Sequence, residues 1–180
     1  SVSTLGKSGP EGVSMTVTSE SEEKLFRRCV VNNAAYDYIT RCKPDDMGIT
    51  APPKDLRIWL FHALKASSAV MIHHGTILSA ELLDKFLGDY SSLIRYFAPD
   101  VTIGVKNLDT YSSIYSEVCH ELSHASHFSK VGVDYWNKYI RYIVKSYLAT
   151  GGMTYGDGVS EDAGYCEIGE MWAYFAESLM

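Results

Sequence analysis

Residues 120 to 124 read His-Glu-Leu-Ser-His, and no other stretch constrains the fold of this chain as tightly. Two imidazoles four residues apart meet on a helix: at 100° per residue His124 lies about 40° round from His120 and about 6 Å along the axis. Both rings can then reach one ion at the about 2.0 to 2.1 Å of a zinc–nitrogen bond, with the carboxylate of Glu121 alongside to handle a proton. At the His and Glu frequencies of this sequence, such a pentapeptide arises by chance about once in a hundred chains. Ile114, Val118, Leu122 and Ala125 fall about 120° to 200° round from His120 and form an apolar stripe. The His/Glu side is therefore expected to line a cleft while the opposite side packs into the core.

A catalytic zinc needs a third protein ligand and an open fourth position for water. His127 falls near His120 on the helical wheel, but seven residues of helix carry it about 10 Å along the axis, too far for one tetrahedral ion. A three-histidine site of the HExxHxxGxxH type would need Gly at 127 and His at 130, where this chain has His127 and Lys130. The other common source is a glutamate on a later helix. A last helix is predicted from about Gly164 to the end, with Glu167, Glu170 and Glu177 on one face and Ile168, Trp172, Phe175 and Leu179 on the opposite, dry one. Glu170 is the expected ligand, because in Glu170-Met-Trp-Ala173 the small residue one turn on lets the motif helix approach; Glu167 stays open as the alternative. Glu177, nearly two turns away, is expected to be solvated or to orient a histidine.

The rest of the chain bounds the setting. Its 180 residues fit one domain with a core of its own, and 46% hydrophobic with 21% charged residues is ordinary for a globular protein. A net charge of -6 argues against nucleic acid as a partner, since phosphate contact needs a Lys/Arg surplus. No apolar run reaches the about 20 residues that span a bilayer; the longest weakly polar stretch, Ala66 to Ala80, contains His73, His74 and Gly75. Cys29, Cys42, Cys119 and Cys166 lack CxxC spacing and read as buried thiols, with a Cys119 to Cys166 contact expected if the two motif helices meet. His62, His73 and His74 have no ligand spacing to the motif and read as structural.

Val13, Met15 and Val17 repeat with period two, which predicts an N-terminal hairpin over residues 1 to 18, followed by a domain over 19 to 180. Ser19 and Glu22 form a capping-box signature for a helix from about Glu20 to Arg41, with Leu25, Cys29, Val30 and Ile39 on its buried face. Leu56 to Ala63 and Ala69 to Leu78 are short apolar runs that fit strands without excluding helix, so this region reads as mixed; a helix is predicted over Ala80 to Phe97 and a short strand over Val101 to Val105. The motif helix runs from about Thr110 to Lys130 and stops at Gly132. Asp134 opens the next helix, whose stripe is Trp136, Tyr139, Ile140, Ile143, Val144, Tyr147 and Leu148, and which ends at Gly151-Gly152. Met180 falls inside a helical pattern with no stop signal, the pattern expected of a domain cut from a longer chain.

The two motifs, His120-Glu-Leu-Ser-His-Ala-Ser-His-Phe128 and Cys166-Glu-Ile-Gly-Glu-Met-Trp-Ala-Tyr174, together resemble the gluzincin branch of the zincin superfamily of zinc-dependent metallopeptidases, in particular a group of bacterial envelope metallopeptidases. The likeness covers about residues 100 to 180. It implies an α+β zincin-like fold, with a small mixed sheet before a mainly helical C-terminal half. It also implies Zn²⁺ held by His120, His124 and Glu170, Glu121 as general base, a peptide or protein substrate, and an extracytoplasmic setting. Gluzincins usually add a Tyr or His donor for the oxyanion, and Tyr165 and Tyr155 are the candidates here. Many also carry an acidic residue shortly after the third ligand, where this chain has Tyr174. The strand at Val101 to Val105 could offer a sheet edge to an extended substrate, with Gly104 letting its backbone come close. The competing expectation is a non-catalytic, zinc-stabilised binding or structural module; a weaker one is hydrolysis of another small amide.

Overall fold

Thr110 is where the motif helix begins, because its hydroxyl accepts the Ser113 N–H at 3.1 Å while Ser113 Oγ accepts the Thr110 N–H at 3.3 Å. In the computed structural model, which describes residues 16–42, 48–77, 92 and 96–180, this helix is the second of three that lie wholly among the described residues. Helix α1 spans Glu23–Arg41, α2 Tyr111–Thr150 and α3 Ala163–Ser178; strands β1, β2 and β3 span Ile58–Phe61, Ser68–Ala69 and Val101–Gly104. The class is α+β with a mainly helical C-terminal half, as the sequence predicts. The hairpin predicted over 1 to 18 and the helix over Ala80 to Phe97 lie almost wholly outside the described residues.

Helix α1 starts three residues later than expected. Thr18 Oγ1 accepts the Ser21 N–H at 3.2 Å and Thr18 O accepts the Glu22 N–H at 3.1 Å, a turn that takes the place of the Ser19/Glu22 box. Its buried face is Arg27, Val30, Ala34 and Tyr38, whereas Ile39 is exposed. Tyr38 takes the inward place because its hydroxyl finds Ser126 Oγ on α2 at 3.0 Å, so a buried phenol is satisfied.

Within α2 the one non-helical residue is Gly132, at φ 81° and ψ 171°. This region is essentially open only to glycine, and a side chain there would cost about 1–3 kcal/mol. The break reverses the chain. Trp136 and Tyr139 come within 6.2 and 6.1 Å of the His124 ring, whereas fifteen residues of straight helix would hold Tyr139 about 22 Å away. The second half ends at Gly151, a left-handed cap at φ 69°.

The sheet order is β1-β3-β2, with β1 parallel and β2 antiparallel to β3. This corrects the reading of Val101 to Val105 as an edge for substrate: β3 is the central strand, fully buried and paired on both sides. The space left by Gly104 is filled by the Ala66 backbone, so its missing side chain serves the fold. In the run Ala69 to Leu78, left open between strand and helix by the sequence, only Ala69 among the described residues is strand, within Ser68–Ala69. Beyond it Met71 adopts φ 61°, and Asp100 gathers the following turn, accepting the His74 N–H at 3.2 Å and facing His74 Nδ1 at 3.0 Å. His74 is thus structural, as expected.

The first half of α2 packs against α1, α3 and the sheet at once. Ile114, Val118, Leu122 and Ala125 are fully buried, the stripe read from the sequence. The opposite side does not line an open cleft. Glu121, His124 and His127 are buried as well, covered by α3 and the second half of α2.

Candidate metal centre

Helix α3 runs antiparallel to the first half of α2, pairing Ser116 with Glu177 at one end and Ser123 with Trp172 further along. The face it turns inward consists of small residues, Cys166, Gly169, Ala173 and Ala176. The expected dry face is therefore not the packed one. Ile168, Phe175 and Leu179 are exposed, and half-buried Trp172 donates its indole N–H to the Ser123 carbonyl at 3.2 Å. Small side chains bring the two backbones close enough for a glutamate beside them to reach a histidine; a bulky stripe would hold α3 away. Ala173, singled out in the sequence for this reason, is fully buried.

The geometry that results joins three groups. His120, His124 and Glu170 each offer one ligand atom, all within 4.8 Å of one another. Glu170 Oε2 lies 3.6 Å from His120 Nε2, and Glu170 Oε1 lies 3.6 Å from His124 Nε2. Both separations exceed a hydrogen bond, and Oε2 is buried without a hydrogen-bond partner among the described residues. Donors on a tetrahedral ion with about 2.0 to 2.1 Å bonds stand about 3.3 Å apart, so the two 3.6 Å separations and the N₂O donor set are compatible with a bound metal ion such as zinc. Glu167 is exposed and outside this group.

Compared with protein-family models, curated proteins and solved structures, the chain matches none.

Around the three groups, further residues fix orientation. His120 Nδ1 meets Glu177 Oε2 at 3.1 Å, and Glu177 Oε1 in turn accepts the Ser116 hydroxyl, which turns His120 Nε2 toward Glu170. Glu177 therefore fills the orienting role that Tyr174, seven residues from Glu167 and three from Glu177, cannot. The Tyr174 ring packs on His120 instead, with centroids 4.8 Å apart. Tyr139 donates its hydroxyl to Glu170 Oε1 at 2.8 Å, and Gly169 makes room for it: a Cβ there would lie 3.2 Å from the Tyr139 Cζ. Tyr139 was hidden in the sequence because it completes an apolar stripe; the only signal is that a buried phenol needs a partner. His124 Nδ1 has no hydrogen-bond partner among the described residues, so its ring is held by packing against Trp136 and Tyr139. If these three groups hold a metal ion, replacing Glu177 by alanine is expected to weaken its binding about 10- to 100-fold with little change in secondary structure, measurable by competition with a chromophoric chelator.

Burial works on these charges in opposite directions. It pushes the Glu121 carboxyl up to about 8, and Glu121 Oε2 has no hydrogen-bond partner among the described residues. Burial alone would lower His120, yet Glu170, Glu121 and Glu177 beside it push it up to about 9. Burial alone would raise Glu170, yet the imidazoles of His120 and His124 hold it well below the usual carboxylate range.

The remaining predicted residues lie as follows. Tyr155 lines a pocket of about 370 Å³ that also reaches Glu170, Glu167 and Tyr174. Tyr165 packs edge-to-face on Tyr135 with centroids 4.5 Å apart, and its hydroxyl accepts from Lys138 Nζ at 3.3 Å. His127 sits among Tyr135, Trp136 and Trp172, where burial pushes it down to about 4. All four thiols are free; the pairings Ser116 to Glu177 and Ser123 to Trp172 set Cys119 opposite the C-terminal part of α3, away from Cys166 near its start, so the two helices meet without the Cys119 to Cys166 contact. No helix among the described residues is long and apolar enough to cross a membrane.

Proposed function

We propose that this chain is a zinc metallopeptidase of the gluzincin kind, with a zincin-like fold, hydrolysing peptide bonds in a peptide or protein substrate. The observation that carries the reading is the convergence of His120, His124 and Glu170 on one point, with Glu121 on the same helix, buried and unbonded at Oε2. Zinc held there supplies Lewis acidity, acidifying water and polarising a carbonyl. Glu121 would act as general base in its carboxylate form, taking a proton of the attacking water and passing it to the departing amine. Tyr139 and Glu177 hold Glu170 and His120 in place while this happens. Of the two tyrosines considered for the oxyanion, Tyr155 faces the pocket that Glu170 lines, while the Tyr165 hydroxyl is engaged by Lys138.

Purified protein is expected to contain one zinc per chain by elemental analysis and to cleave a quenched-fluorescent peptide library. Chelation should abolish cleavage, and added zinc should restore it. Stoichiometric zinc with no cleavage of any peptide, and a lowered melting temperature on chelation, would move the reading to the non-catalytic module.

A further inference from the structure

The pocket beside Glu170 contains a charge that neither the metal site nor the fold uses. Glu167 lies one helical turn before Glu170 on α3, about 4.5 Å along the axis, and lines the same pocket of about 370 Å³. Its carboxylate has no hydrogen bond or ion pair with any described residue. Lys138, on the neighbouring helix, is occupied by Tyr165, through both its ring and its hydroxyl. The pocket walls include two aromatic rings, Tyr155 from the loop and Tyr174 from α3. The loop is held over the pocket because Tyr142 donates its hydroxyl to the Tyr155 carbonyl at 3.1 Å. Gly158 lets the loop come close to Glu167: a Cβ at that position would lie 3.0 Å from Glu167 Oε1. A free carboxylate in a pocket that also presents two tyrosine rings is matched by a cationic nitrogen, which can draw on the charge and on a ring face.

We propose that this pocket is the subsite for a cationic nitrogen of the substrate, with Glu167 as its counter-ion and Tyr155 and Tyr174 as its walls. The inference rests on the peptidase reading above and narrows it to substrates with a positive charge next to the bond that is cut. Two sources offer that chemistry: a free α-ammonium group, or a lysine or arginine side chain. Glu167 is then a specificity residue, distinct from the ligand Glu170 one turn away.

The test uses zinc-loaded protein and two pairs of fluorogenic peptides. One pair has an acetylated N-terminus and carries lysine or its uncharged analogue norleucine before the scissile bond. The other carries alanine there, with a free or an acetylated N-terminus. At least one cationic member is expected to exceed its neutral partner about tenfold in kcat/KM, and the pair that shows it names the source. Glu167→Gln should bring that ratio close to one, with zinc still at one per chain. In parallel, equilibrium binding of Nα-acetyl-lysinamide, Nα-acetyl-norleucinamide and alaninamide is followed by tyrosine and tryptophan fluorescence in both proteins. Cleavage of neutral and cationic peptides at equal rates, unchanged in Glu167→Gln, overturns the subsite and leaves the peptidase reading intact. Cation binding that disappears in Glu167→Gln, without hydrolysis of any peptide, overturns the peptidase reading and leaves the cation pocket standing.

Discussion

Glu121→Gln is expected to retain zinc at one per chain and to lower kcat/KM about 10²- to 10⁴-fold, the range over which a positioned general base contributes. Glutamine keeps the size and shape of the side chain and leaves no carboxylate to take a proton from water. Glu121 does not belong to the group that can hold the ion, so metal content should not change. Folding should not suffer either. The wild-type carboxyl is buried with Oε2 unbonded, and burial already pushes it up to about 8, so a neutral amide loses no hydrogen bond at that atom. The melting temperature should therefore hold or rise while hydrolysis falls, a combination that general destabilisation cannot produce. Full activity in a zinc-loaded Glu121→Gln protein would remove Glu121 from the mechanism.

The His120 and His124 pair was legible because it depends on helical spacing alone, and the stripe of Ile114, Val118, Leu122 and Ala125 was legible for the same reason. Periodicity reports which residues share a face; it does not report which face a partner covers. On α3 that distinction decided the outcome. The carboxylates and the apolar residues were sorted to opposite sides correctly, but the packed face turned out to be the line of Cys166, Gly169, Ala173 and Ala176 between them. Apolar periodicity undervalues such a face, since its contribution is close backbone approach rather than buried side-chain area. The same limit hid the sheet. Nothing in Val101 to Val105 tells a central strand from an edge, because that depends on pairing with Ile58–Phe61 and Ser68–Ala69 far along the chain. Tyr139 reaches Glu170 only because Gly132 turns the chain back, a long-range consequence of one residue's φ.

Glu170→Ala is expected to cost more zinc affinity than the about 10- to 100-fold assigned to an orienting residue, whereas Glu167→Ala should bind zinc as wild type does. The difference follows from position. Glu170 is the one carboxylate on α3 whose oxygens face both His120 Nε2 and His124 Nε2, at 3.6 Å each, and without it two imidazoles alone remain to hold the ion. Its loss also leaves the Tyr139 hydroxyl buried without an acceptor, which costs about 1–3 kcal/mol of stability in addition to the metal. Glu170→Gln separates the two effects, since an amide oxygen can still accept from Tyr139 but brings no negative charge to the ion. Zinc titration and urea unfolding of both variants should thus show weak binding in each and the larger stability loss only in alanine. Full zinc occupancy in Glu170→Ala together with loss in Glu167→Ala would transfer the ligand role one turn up the helix. It would at the same time remove the free carboxylate on which the cationic subsite depends, so a single pair of metal analyses bears on both assignments.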